Sequence, residues 1–272
     1  MTATATRQHF YPTRFKDAAR YYTNGRPFYP KLLSRRVAQL ISLEPRHRVL
    51  DIGTGPGFLA IDFAAHAGSV TGLDPSAEML EVARANAARA GAPVRFLQGT
   101  SYDLNADLGG LRLTTFGRSF HWTDRPATLT ALDRLTEAGG AVALINDRFP
   151  EVPDNAWRPG FEALLDSYGK DDGATGRLRG EASHEAVLLA SPFSHLERIA
   201  VLERRRTPLD HFIDRALSFG KVWHGSPGFS PEELAEKIRT LLATHVGEDG
   251  RVAEVIEGHA LVARRPAEVS GA

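Results

Sequence analysis

The stretch VLDIGTGPG, Val49 to Gly57, decides how this chain is read. Apolar residues lead into an aspartate, Asp51, and glycine then stands at every second position: Gly53, Gly55 and Gly57. Arg48 to Gly53 reads as a short buried strand, and GPGFLAIDFAAHA follows as a helix. A strand that ends in a glycine-rich turn and feeds a helix is a nucleotide-type site. Glycine allows a tight turn and a close approach of ligand to backbone amides, and the helix start adds partial positive charge. The dinucleotide fingerprint is G-x-G-x-x-G. Here the spacing is G-x-G-x-G, and Phe58 stands where the third dinucleotide-type glycine belongs. Asp51 also sits where a pyrophosphate binder avoids negative charge. The acid points to a ligand carrying a cation. S-adenosylmethionine, with its ammonium and sulfonium, fits, and Asp51 can meet the ammonium directly or through water.

Working outward, SVTGLD is a second strand that ends in Asp74, whose carboxylate can accept both hydroxyls of a ribose. PSAEMLEVARANAARAG is a helix opened by a proline and closed by Gly91; its Met79 can pack an adenine face. VRFLQG is a third strand, with Thr100 and Ser101 after it at the adenine edge. LRLTTFG is a weaker fourth strand. DRPATLTALDRLTEAGG reads as a helix running to a glycine pair, and AVALIN (Ala141 to Asn146) as a fifth strand. Five strand–helix alternations define an α/β, doubly wound, parallel sheet. A glycine turn alone is often only a turn, and an acid at a strand end is often only a cap. The joint pattern is far more specific.

After Asn146 the rhythm changes. Residues 147–193 read as an insertion over one edge of the sheet, with helical character around FEALLDSY. HLERIAVLERRR is a strand, DHFIDRALSFG a helix and KVWHGSPGF a loop. SPEELAEKIRTLLATHV is a helix capped by Ser230, with Glu233 completing a capping box. VAEVIEGHALVARR is a last strand, expected to be antiparallel near the sheet edge.

Composition sets the bounds. The 272 residues are 42% hydrophobic and 24% charged, with zero formal net charge and no cysteine. That argues against nucleic-acid and membrane partners, and it excludes disulfides, a thiolate nucleophile and cysteine-ligated metal. The ten histidines form no H-x-x-x-H pair on an obvious helix, so no metal site is expected. The N-terminus lacks an apolar signal core. A cytoplasmic monomer or homodimer is the expectation.

VLDIGTGPG, VTGLDPSAEMLEVAR, FGRSFHWTDR (Phe116 to Arg125) and GGAVALIN together resemble the motifs of class I S-adenosylmethionine-dependent methyltransferases. The likeness is to the small-molecule branch similar to trans-aconitate and ubiquinone/menaquinone-type enzymes. The resemblance implies a Rossmann-like, seven-stranded, mostly parallel sheet with an antiparallel edge strand. It divides the chain into a helical lid (1–45), a cofactor core (46–146), a cap insertion (147–193) and a C-terminal part with the acceptor loop (194–272). It implies S-adenosylmethionine as cofactor and S-adenosylhomocysteine as product. Cofactor contacts then fall on Tyr22, Arg26, Asp51, Gly53, Gly55, Gly57, Asp74, Pro75, Met79, Thr100, Ser101 and Arg118, with Arg26 at the methionine carboxylate. Two departures stand out. Thr100 replaces the acid usual after the third strand, with Asp103 later, and LRLTT lacks the usual acidic–apolar pair.

Methyl transfer from a sulfonium is an in-line displacement that needs positioning and desolvation first. A general base is needed only if the acceptor must lose a proton. His121, just past the fourth strand, is the catalytic candidate, or else part of a structural turn. Tyr21, Trp122, Asn146 and Arg148 are expected around the small-molecule acceptor. Lys221, Trp223 and His224 combine cations with an aromatic surface, which suits an anionic acceptor or C-methylation of an isoprenoid diphosphate; the plainer reading is a solvated loop with Trp223 anchored in the core. Arg204 to Arg206 read as a solvated strand edge. Two alternatives stay open: a protein of this fold that uses the cofactor structurally, as a cyclase or regulator, and an NAD-dependent oxidoreductase.

Overall fold

The structure, a computed structural model, describes residues 19–169, 182–224 and 229–266. Seven strands form one sheet in the order β3-β2-β1-β4-β5-β7-β6. They are β1 (Arg48–Ile52), β2 (Ser69–Asp74), β3 (Val94–Gln98), β4 (Leu111–Gly117), β5 (Thr136–Arg148), β6 (His195–Pro208) and β7 (Arg251–Arg264). β1 to β5 pair in parallel. β7 runs antiparallel to both β5 and β6, so the antiparallel strand lies one in from the edge that β6 forms.

The β1–β2–β3 side matches the strand–helix alternation closely. After β1 comes α3 (Phe58–Phe63), shorter than expected, and after β2 comes α4 (Ala77–Ala90). Ser76, and not the proline before it, caps α4, accepting from Met79 N at 3.2 Å; Gly91 closes the helix in the left-handed region at φ 62°. The weakly patterned LRLTTFG is a full strand at the centre of the sheet, because β1 and β5 bury it from both sides.

The next helix, α5 (Arg125–Leu135), stops before the glycine pair and not at it. Gly139 has φ 74°, and a Cβ on Gly140 would lie 2.7 Å from the Leu111 carbonyl oxygen. The two glycines therefore bend the start of β5 tightly against β4, where the ladder shifts register between Leu111 and Leu113. That backbone approach is a strand feature, which a helix-ending reading of Gly-Gly overlooks.

Two apolar layers flank the sheet. On one face α2 (Lys31–Leu40) and α3 bring Leu33, Val37, Leu59 and Phe63 onto Val49, Leu113, Ile145 and Ala260. On the other, Leu129 and Leu132 of α5 and Leu188 of α7 (His184–Leu189) cover Leu50, Phe116, Leu144 and Leu261. A third cluster joins α6 (Arg158–Tyr168), α8 (Leu209–Leu217), α9 (Gly220–His224) and α10 (Pro231–Leu242) around Trp157, Phe161, Phe212 and Leu234. The segment 147–193 is thus shared out: α6 joins the C-terminal helices, while α7 packs on α5 and β6. The KVWH stretch is helical α9 and not a loop. Ser230 caps α10 as expected, accepting from Glu233 N at 3.2 Å. The Glu233 carboxylate, however, turns to Lys237 at 2.6 Å and leaves Glu232 to accept from the Ser230 hydroxyl.

Candidate active site

The main cavity opens where β1, β2 and β4 end, and the glycine turn forms its floor. Gly53, Gly55 and Gly57 have φ 68°, 51° and 84°, the left-handed region that side chains disfavour. Their reasons differ. A Cβ on Gly53 would lie 2.5 Å from Ser119 Cβ, and one on Gly57 would press Ala83 and Phe96 at 3.2 Å. A Cβ on Gly55, which lines the cavity, would meet nothing within 4 Å. The turn is pinned by Leu73 O, which accepts from Gly53 N at 2.8 Å and Thr54 N at 3.0 Å.

Two carboxylates face this turn, and among the described residues neither has a cation on it. Asp51 is 1% exposed and accepts from the Thr54 hydroxyl at 2.6 Å and the Thr115 hydroxyl at 2.7 Å. Burial pushes its carboxyl up to about 6, against the pull of those two hydroxyls. Asp74 accepts from Gly55 N at 2.8 Å and Ser76 N at 2.9 Å. Burial raises it too, opposed by the two amides. Each carboxylate oxygen keeps accepting capacity beyond these bonds. Met79, Pro75, Thr100 and Ser101 close the β2–β3 side of the cavity, and Tyr22, Tyr29, Phe58, Leu59 and Trp122 the other. Asp103 does not enter: its carboxylate folds back onto Thr100 N and the Thr100 hydroxyl at 2.7 and 2.8 Å. It caps the turn that holds Ser101.

Arg118, at φ 58°, is the one cation in the cavity wall among the described residues. It is occupied by protein partners. It donates to the Tyr29 hydroxyl at 2.8 Å and to Pro27 O at 3.2 Å, and it pairs with Asp147 at 3.1 Å. Burial alone would lower its pKa; Asp147 and Tyr29 together hold it above the usual arginine range. Arg205, from β6, donates to Phe28 O at 2.7 Å. The RPFYP turn is therefore clamped by two arginines, and it sets Phe28 on Phe58 with ring centroids 4.4 Å apart.

The other expected site residues are dispersed. Arg26 is not a cavity wall. Its guanidinium stacks on Phe219 at 4.0 Å and Tyr22 at 5.0 Å and donates to Ser218 O at 3.3 Å, with Nε lacking a hydrogen-bond partner among the described residues. His121 lies outside the wall, its ring 5.0 Å from that of Trp122. Asn146 sits opposite His259 in the β5–β7 ladder. Arg148 is exposed and donates to Glu257 at 2.7 Å. Lys221 pairs with Asp166 at 2.5 Å, and Trp223 is anchored through Leu217 O at 2.8 Å, stacked on Tyr21 at 5.9 Å. His224 ends α9; its side chain lies outside the described residues. Arg204, Arg205 and Arg206 pair with Asp154, Glu203 and Asp249. The side chains that sequence reasoning missed are Thr54, Thr115, Tyr29 and Asp147. Thr54 lies inside the quoted motif, and Thr115 stands in the strand that lacks the usual acidic pair.

The cavity suits S-adenosylmethionine. An open cradle over Gly55, a buried carboxylate beside it and a second acid at the β2 end match an ammonium-bearing nucleoside. Fold, site and the following likenesses together support a class I S-adenosylmethionine-dependent methyltransferase. A methyltransferase-domain family model matches residues 49–140. An uncharacterized methyltransferase of Mycobacterium tuberculosis is 27% identical over 232 residues, 85% of this chain and 86% of its own length. A ubiquinone biosynthesis O-methyltransferase of Vibrio parahaemolyticus is 35% identical over 97 residues, 35% of this chain and 41% of the relative. Among solved structures, a putative type II methyltransferase from Anaeromyxobacter dehalogenans superposes with TM-score 0.60 at 22% identity, covering 88% of this chain and 97% of that one. A methyltransferase from Thiobacillus denitrificans in complex with S-adenosylhomocysteine gives TM-score 0.50 at 16% identity, covering 92% and 97%. The last two show the fold. Among the described residues, no helix is long and apolar enough to cross a membrane and no cluster of metal-ligating side chains occurs.

Proposed function

We propose that the protein transfers the cofactor's methyl group to a small acceptor that is uncharged and largely apolar where it meets the cavity. The observation that carries this is the wall itself: Tyr22, Tyr29, Phe58, Leu59 and Trp122 line it, while its one described cation is already paired. Bound S-adenosylmethionine supplies an electrophilic methyl whose departure leaves a neutral thioether.

The chain's own residues hold, orient and dry the reactants. Asp51 accepts from the cofactor's ammonium and Asp74 from its ribose hydroxyls. Gly53, Gly55 and Gly57 keep the floor open. Pro75, Met79, Thr100 and Ser101 enclose the base. Tyr22 and Trp122 exclude water, so that a methyl acceptor meets a site with little solvent to reorganise. Arg118 acts through Tyr29 and the RPFYP turn. His121 orients Trp122. Arg26, Tyr21 and Trp223 build the support behind Tyr22. An isoprenoid diphosphate would call on Lys221, Arg148 and the Arg204–Arg206 run, each of which is already paired with a carboxylate.

The test is transfer of isotope-labelled methyl to a panel of phenols, apolar carboxylic acids and isoprenoid diphosphates. Label in a phenol supports the reading. Label only in a diphosphate overturns the acceptor class. Tight S-adenosylhomocysteine binding with no label in any product favours a structural use of the cofactor.

A further inference from the structure

Behind the cofactor wall lies a buried ion pair that the transfer itself does not use. Arg215 of α8 and Glu254 of β7 are 5% and 2% exposed at their side chains. They bond in bidentate fashion at 2.9 and 3.1 Å, and the Thr207 hydroxyl donates to Glu254 at 2.6 Å. The guanidinium is boxed by the rings of Phe212, Phe149 and Trp157 at 4.5, 4.8 and 5.6 Å. A buried pair of this kind loses hydration on folding, and well-packed apolar residues often replace it without loss of stability. Its value must then lie in where it points.

It points at α1 (Ala19–Gly25). Arg215 Nε donates to the Gly25 carbonyl at 3.4 Å, which sets a cation at that helix's C-terminal end, where the helix dipole favours one. Gly25 has no room for a side chain: a Cβ would lie 2.4 Å from Asp214 O and 2.7 Å from Arg215 N. The described residues of α1 pack chiefly against α8, with one further tie from Asn86 of α4 to the Thr23 hydroxyl at 3.5 Å, so α8 is the main support that fixes their position. α1 carries Tyr22, a wall of the cavity, and Arg26 follows it onto Phe219 and Ser218 of the same support.

We infer that the Arg215–Glu254 pair is a positioning device that docks α1 on α8 and so sets Tyr22 against the cofactor. The inference rests on the cofactor reading above, and its test separates the two. In Arg215→Met/Glu254→Met the apolar isosteres fill the box and no charge is stranded. The melting temperature should stay near that of the parent. Amide exchange over residues 19–26 should accelerate while β1, β4 and β5 keep their protection. S-adenosylhomocysteine affinity, measured by calorimetry, should fall about tenfold, the worth of roughly one hydrogen bond to a charged group. Gly25→Ala leaves the pair intact and displaces α1 by its Cβ; the same two changes are expected, which keeps the test alive if the double variant does not fold. Unchanged exchange over 19–26 and unchanged affinity in either folded variant would overturn the inference. If the parent protein takes up no S-adenosylhomocysteine, the cofactor reading fails, and the exchange data still judge the docking of α1.

Discussion

At the β1–β2 end of the sheet, the buried acids are held by neutral groups; at the β6–β7 end, charges are held by one another. Asp51 rests on two threonine hydroxyls and Asp74 on two backbone amides. Arg215 meets Glu254, Arg148 meets Glu257, Arg206 meets Asp249 and Arg264 meets Glu197. A carboxylate satisfied by neutral donors still carries its full charge and can offer it to a cationic ligand. A paired charge has nothing left to offer without breaking its bond. The two ends therefore differ in what they can offer a ligand: on the function proposed above, the first receives a positively charged nucleoside and the second serves as scaffold.

The largest expected effect lies in the floor between the two acids. Gly53→Ala should abolish S-adenosylhomocysteine binding and lower unfolding stability by about 2–4 kcal/mol, since the new methyl both strains a left-handed residue and overlaps Ser119. Gly55→Ala should cost about 1–2 kcal/mol from the left-handed backbone alone, while still weakening the cofactor by tenfold or more, because its Cβ fills ligand space. Calorimetric titration beside chemical denaturation separates the two. Equal loss of stability in both variants would mean that Gly55 faces protein and not ligand.

That contrast also explains what the sequence made legible. The glycine spacing, Asp51 and Asp74 carry their function in local geometry: a turn, a strand end, a helix start. Each needs only neighbours a few residues away. LRLTTFG reads poorly because a central strand is defined by the two strands that bury it, and Thr115 acquires its meaning from Asp51, 64 positions away in the chain. The glycine pair after α5 looks like a helix stop because nothing local reveals that Leu111 lies against it. Arg26, Arg148 and Lys221 are singled out by type and place, yet their partners Ser218, Glu257 and Asp166 come from distant segments. A cation's availability is a tertiary property, and spacing along the chain does not report it.

A second test bears on Asp51 directly. In the folded protein its carboxyl sits at about 6, against 3.8 as the ordinary value. Because the folded pKa is raised, the ionised form disfavours the fold. The cost is absent below about pH 4, grows between the two values and is complete above about 6. Asp51→Asn should thus leave the ligand-free protein equally stable or up to about 2 kcal/mol more stable at pH 8, with no gain at pH 4. The same variant should bind S-adenosylhomocysteine roughly 100-fold more weakly, the worth of one charge-assisted bond in a dry site. In the parent protein, affinity should decline as pH falls through about 6, as protonation removes the charge. A variant that is weaker both in stability and in binding would show that the acid serves the fold, and the distinction between the two ends would dissolve.

The smallest effect is expected at the other end, and there a null result is the informative one. Lys221 and Asp166 form a bridge with the carboxylate largely in water, an arrangement worth about 0–1 kcal/mol. Lys221→Ala should therefore leave the denaturation midpoint nearly in place, and labelled-methyl transfer to whatever acceptor the panel reveals should keep its KM within about twofold. A large rise in KM confined to anionic acceptors would mean that Asp166 gives Lys221 up when such a molecule arrives. The scaffold end would then hold a latent anion site, and an acceptor with a phosphate or carboxylate would displace the apolar one proposed for the cavity.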